Sequence, residues 1–323
     1  MESFLGCLSG GVPYSLVVLS GVFLTRNWNS DKATNRMIFE ACTKCFLPIY
    51  MFIELFNNFR MEQAYWLLLL NPLLISLLGL GLGSLYQKVY KLPTLQTSSL
   101  VPNSVGTLPI LVLKGMCSSY GPFGGESCSR AQVYLIVQSF TGYLVLWRLS
   151  KLQKSRVQEI ELVETTQNSV FLEKSSALPK TNPIFQVTLT AQVLGVLGSG
   201  VAEVSLGNSL GVFYSLIDSA NSIGITGVII SQLTLMGSLE FTAKSKLVLV
   251  TRCLIYPLVG LVVTKLSIEL FGINEVMAFC MYINYVNITN EAYLVLKGSS
   301  NFVLQYFPLV GIPLFSWVFI TFK

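Results

Sequence analysis

Residues 65–86 read YWLLLLNPLLISLLGLGLGSLY, a run of 22 positions without a charged side chain. At 1.5 Å per residue such a helix is about 33 Å long, enough to cross the roughly 30 Å hydrocarbon core of a bilayer. Comparable stretches recur along the chain, and the predicted spans are 5–24, 37–56, 65–86, 94–115, 130–149, 183–202, 210–236, 246–267, 275–296 and 302–321. Residues 5–24 lack a basic lead-in and are interrupted by Pro13, so they read as a first transmembrane helix rather than a cleaved signal. Composition agrees. Of 323 residues, 52% are hydrophobic and 11% charged, whereas a soluble domain carries about 25% charge. The expected fold class is an all-α polytopic membrane protein of about ten transmembrane helices.

The longest polar stretch, 150–182, is rich in Lys and Glu and lacks apolar helical periodicity. It is expected to be a cytosolic loop between two five-helix repeats, 1–149 and 183–323. With that loop in the cytosol, 14 Lys and Arg residues fall on its side and 5 on the other, Lys44 and Arg252 lying inside spans. The positive-inside rule then places both termini on the non-cytoplasmic face. Five is odd, so the second set of helices enters the membrane inverted, as in many secondary transporters. The two irregular spans also correspond, being fourth in each set.

In the fourth span, Val101-Pro-Asn-Ser-Val-Gly-Thr-Leu-Pro109 holds two prolines, a glycine and three polar side chains. Pro removes a backbone donor and Gly weakens a helix. The stretch reads either as a kinked packed helix or as an unwound crossover whose half-helix N-terminus faces an anion. The ninth span carries Tyr282-Ile-Asn-Tyr-Val-Asn-Ile-Thr-Asn-Glu291, a run of amides costly in lipid unless it lines a cavity. Substrate-binding candidates are therefore Asn103, Ser104, Pro109, Asn284, Asn287 and Thr289.

Asp218 lies about eight residues into the seventh span, roughly 12 Å deep. It is the candidate coupling group, with a structural carboxyl as the other reading. Glu40 and Lys44, one turn apart, should neutralise each other, and Glu54 is expected at the membrane interface. Cys42 and Cys45 read as small buried side chains. Histidine is absent, which removes His-based zinc sites, imidazole haem ligation and Ser-His-Asp triads. No metal, cofactor, nucleic-acid partner or enzymatic activity is expected.

The loop Cys117-Ser-Ser-Tyr-Gly-Pro-Phe-Gly-Gly-Glu-Ser-Cys128 is similar to the Cys…Ser-Pro-Phe-Gly…Glu-Ser-Cys loop of the auxin efflux carrier superfamily, and within it of the plant PIN-LIKES proteins. Gly106-Thr-Leu-Pro109 resembles that family's Gly-Asn-Met-Pro crossover. Asn182-Pro183, Arg252-Cys-Leu-Ile-Tyr-Pro-Leu-Val-Gly260 and Asn287-Ile288 are also family-like. The chain departs from the pattern at Ser104, where the family has Asn, at Ile283-Asn284, where it has Pro-Pro, and at Leu47, where it has Asn.

The resemblance implies a carrier of indole-3-acetic acid in the endoplasmic reticulum membrane, with lumenal termini, a scaffold bundle and a crossover-bearing transport domain. Its partners would be an auxin-like organic anion and the lipid bilayer. The oligomeric state stays open, a homodimer among the options. Cys117 and Cys128, on the non-cytoplasmic side where disulfides persist, are the disulfide candidates. Two other readings stand beside auxin transport: a diverged sensor or scaffold of the same fold, and a carrier of another organic anion.

Overall fold

A computed structural model describes residues 20, 32–91, 100, 107–117, 124–167, 183–205, 219–227, 229–230, 247 and 250–286. Among these residues all regular structure is helical and no strand occurs. The elements are α1 (Lys32–Asn58), α2 (Tyr65–Tyr90), α3 (Thr107–Cys117), α4 (Glu126–Gln167), α5 (Pro183–Ser205), a π-helical turn (Thr251–Ile255), α6 (Tyr256–Phe271) and α7 (Glu275–Val286). Residues 219–227 form a further helical stretch. The predicted spans 5–24 and 302–321 lie outside the described residues, apart from Ser20.

Pro109 lies within α3 and Pro183 within α5, and both residues are helical.

One expectation is corrected. Residues 150–167 are not a loop: α4 continues through them, 42 residues in all. The apolar periodicity ends near Trp147, but the following Lys, Leu, Gln, Arg and Glu residues are among the strongest helix formers. Intrinsic propensity accounts for the helix continuing after the apolar periodicity ends. Residues 168–182 lie outside the described set.

Packing divides the helices into two groups. α1 packs chiefly on α5; α2 packs on α4, and α6 on α7, with α3 and α7 also against α4. α4 bridges the groups by touching α1 and α5 as well. Glycines let α1 sink between its neighbours. A Cβ on Gly195 would lie 2.9 Å from Leu55 Cβ, and one on Gly227 would lie 2.2 Å from Phe46 Cβ. Small residues at such crossings let backbones approach closely.

A contiguous core joins Leu47, Met51 and Leu55 of α1 to Leu113 of α3, Tyr134 and Tyr143 of α4 and Met277–Ile283 of α7. The outer faces are apolar too. Leu69, Leu70, Leu73, Leu74, Leu77 and Leu80 on α2 are 37–63% exposed. From Leu254 through Leu258, Val262 and Leu266 to Leu270, every fourth residue is 48–70% exposed. Among the described residues one helix, α2, is long and apolar enough to cross a membrane, with a mean hydropathy of 1.9 over its most apolar 18 residues.

Candidate functional site

Leu100, just before the stretch Val101–Pro109, is held by the side chains of Arg252 in the π-helical turn and Tyr256 at the head of α6. Leu100 is a turn residue. Its carbonyl accepts hydrogen bonds from Arg252 Nη2 and Tyr256 Oη, each at 2.7 Å. The Arg252 guanidinium also stacks 4.6 Å from the centre of the Tyr256 ring. Both side chains are fully enclosed. α2 closes the other side, where a Cβ on Gly79 would lie 2.5 Å from the same carbonyl.

Pro257 accounts for the π turn. It has no N–H to give the carbonyl four residues earlier, and its ring would clash there. The backbone widens instead, with Tyr256 N–H bonding the Thr251 carbonyl five residues back. Such widened turns are frequent at functional sites. Here it carries Arg252 and Tyr256 on one side and Thr251, paired with Tyr86 at 2.8 Å, on the other.

Of the proposed substrate ligands, the structure describes Pro109 and Asn284; both are buried. Asn284 is 3% exposed and lies in α7, which is helical through it. Asn71 of α2 supports that helix by donating to the Met281 carbonyl at 3.0 Å. Ile110, Val112 and Leu113, just past Pro109, share one core cluster with Ile283 and Val286, which flank Asn284. Asn103, Ser104, Asn287, Thr289 and Asp218 lie outside the described residues.

A second polar centre occupies the contact between the two helix groups. Glu54, expected at the interface, is 5% exposed instead. Its neighbours explain the difference: the carboxylate accepts from Asn58 Nδ2 at 2.9 Å and from Asn221 Nδ2 at 3.2 Å. Lys114 of α3 lies within electrostatic range of it and 5.6 Å from the Tyr50 ring centre. Tyr50, one turn before Glu54, donates to Gln132 Oε1 of α4 at 2.8 Å. Deeper along the same contact, Gln192 of α5 bonds Ser139 Oγ at 2.6 Å and the Ile136 carbonyl at 3.2 Å. A cleft lined by Asn58, Arg60, Glu62, Glu126 and Arg130 opens beside Asn58. Glu40 and Lys44 form the anticipated one-turn pair at 3.2 Å.

Cys117 and Cys128 are joined by a disulfide, with Cα atoms 5.5 Å apart. It ties the end of α3 to the start of α4. Closing a loop with a sequence separation of 11 removes unfolded-chain entropy equivalent to about 3 kcal/mol. Cys128→Ser should lower the thermal midpoint of the purified protein, and reducing agent should lower it equally in the parent. A reductant effect that persists in Cys128→Ser would contradict this.

Glu54, Arg252, Asn71 and Gln192 were not among the anticipated site residues. Each is a polar group inside a predicted span, and that placement is the sequence signal they share. No protein-family model matches the chain, and no curated protein is significantly similar to it.

Proposed function

We propose that the chain is a polytopic inverted-repeat carrier of an amphipathic organic anion. The membrane reading is supported by the exposed leucine faces of α2 and α6, which a water-facing surface does not sustain over whole helices. The anion reading is supported by the enclosed Arg252 guanidinium, which bonds the Leu100 carbonyl next to the Val101–Pro109 stretch. A buried cation favours a negatively charged solute nearby, and the surrounding aliphatic and aromatic side chains suit an apolar body. Indole-3-acetic acid is the substrate, and the endoplasmic reticulum the membrane, that the family resemblance points to.

Both termini face the lumen in this reading, the repeats run 1–149 and 183–323, and the anion lies between the two breaks. Asn284, Asn287, Asn103 or Ser104 would meet its carboxylate, with Thr289 and Pro109 at the edges and Asp218 as a further ionisable group within the membrane.

Labelled indole-3-acetic acid uptake into vesicles containing the purified protein is the decisive experiment. Each charge-assisted hydrogen bond to the carboxylate contributes about 1.5–3 kcal/mol net, so Asn287→Ala should weaken binding roughly tenfold or more. Met61→Ala, at an exposed site, is the control. A folded Asn287→Ala protein that binds like the parent would remove the crossover site.

A further inference from the structure

We propose that Glu54 is a proton-binding site, reached from the cleft beside Asn58. If the chain is the anion carrier inferred above, Glu54 is where transport is coupled to protons.

The geometry supports both protonation states. As a carboxylate, Glu54 has two amide donors, Asn58 and Asn221, and the counter-charge of Lys114. As a neutral acid, it avoids the cost of a charge held away from water, which is large in so enclosed a position. Access is built in, because Asn58 is at once a wall of the open cleft and a hydrogen-bond partner of Glu54. One side chain separates the carboxyl from the cleft.

The surroundings select a proton over a metal ion. Hard cations need a cage of oxygen ligands. Here both amides turn their N–H groups toward the carboxylate, and the Lys114 ammonium repels a second cation. Among the described residues, the neighbouring elements add no competing acid at that level. α4 contributes Gln132 through Tyr50, α5 presents Gly195 and Gly198, and the 219–227 stretch contributes Asn221. The cleft contributes the charged groups Arg60, Glu62, Glu126 and Arg130.

The proton balance is simple. Glu54 carboxylate takes one proton to become the acid, and no other bond is made or broken. Lys114 of α3 then loses the counter-charge of Glu54, leaving a positive charge that an organic anion can answer. Proton and anion would enter together.

Infrared pH titration of the full chain in lipid nanodiscs reads the carbonyl stretch of a protonated carboxyl without requiring transport. The band should be present in the parent, in Glu269→Gln (an exposed site on α6) and in Glu54→Asp. It should be lost in Glu54→Gln. Persistence of the full band in Glu54→Gln overturns the site. Uptake of labelled indole-3-acetic acid by vesicles is then measured against pH on the cleft side, and Glu54→Gln should lose the pH dependence. Retained pH dependence in that variant overturns coupling while leaving the carrier reading intact. A Glu54-dependent band in a protein that takes up no anion removes the carrier reading and keeps the proton site.

Discussion

Arg252→Met should destabilise the protein by about 3 kcal/mol, read as a lowered thermal or denaturant midpoint in detergent. The substitution keeps much of the side-chain length and buried area. It removes the charge-assisted bond to the Leu100 carbonyl, about 1.5–3 kcal/mol, and the stacking on Tyr256, about 1 kcal/mol or more where water is excluded. Tyr256 Oη remains as a donor to the carbonyl, which limits the loss. Arg252→Lys should fall between parent and Met, because an ammonium keeps the charge but not the planar stack. A Met variant as stable as the parent would show that the clamp contributes nothing.

Gly227→Ala should cost about 3 kcal/mol, whereas Gly81→Ala should stabilise the protein by up to about 1 kcal/mol. Both replacements gain the same helix propensity, so their difference isolates packing. At Gly227 the new methyl would lie 2.2 Å from Phe46 Cβ and 2.3 Å from Phe46 Cγ. A Cβ is tied to its own backbone, so Phe46 cannot swing clear and α1 itself must shift; overpacking of this kind costs about 1–3 kcal/mol. At Gly81 nothing lies within 4 Å. Gly224 makes the same close approach one turn away, with its Cβ position 2.8 Å from Tyr50 Cβ. Matched unfolding curves of the two alanine variants supply the test, and equal midpoints would contradict it.

Local chemistry made part of this fold legible. The α2 run and the one-turn Glu40–Lys44 pair each depend on residues close together in sequence. The Cys117–Cys128 loop, where the structure has a disulfide, spans only a few turns. What could not be read depends on distant partners. The role of Arg252, placed by sequence only inside an apolar span, depends on an acceptor, Leu100, 152 positions away. Glu54 looked interfacial because Asn221, which helps satisfy it inside, is 167 positions away. The continuation of α4 past residue 149 was missed for the opposite reason. The residues there are strong helix formers, and apolar periodicity is the wrong signal for a stretch whose helicity intrinsic propensity favours.

The length of α4 has a mechanical consequence. Its 42 residues make a rod of about 63 Å, roughly twice the thickness of a bilayer core. The last 18 residues, 150–167, extend about 27 Å beyond the stretch read as membrane-spanning. One end of the rod is fastened to α3 by the disulfide. A tilt of about 10° within the membrane would displace the far end by about 5 Å, since the 27 Å arm scales with helix rise. In the carrier reading proposed above, α4 is therefore a lever, and rearrangement among the buried helices is delivered, enlarged, to residues 150–167.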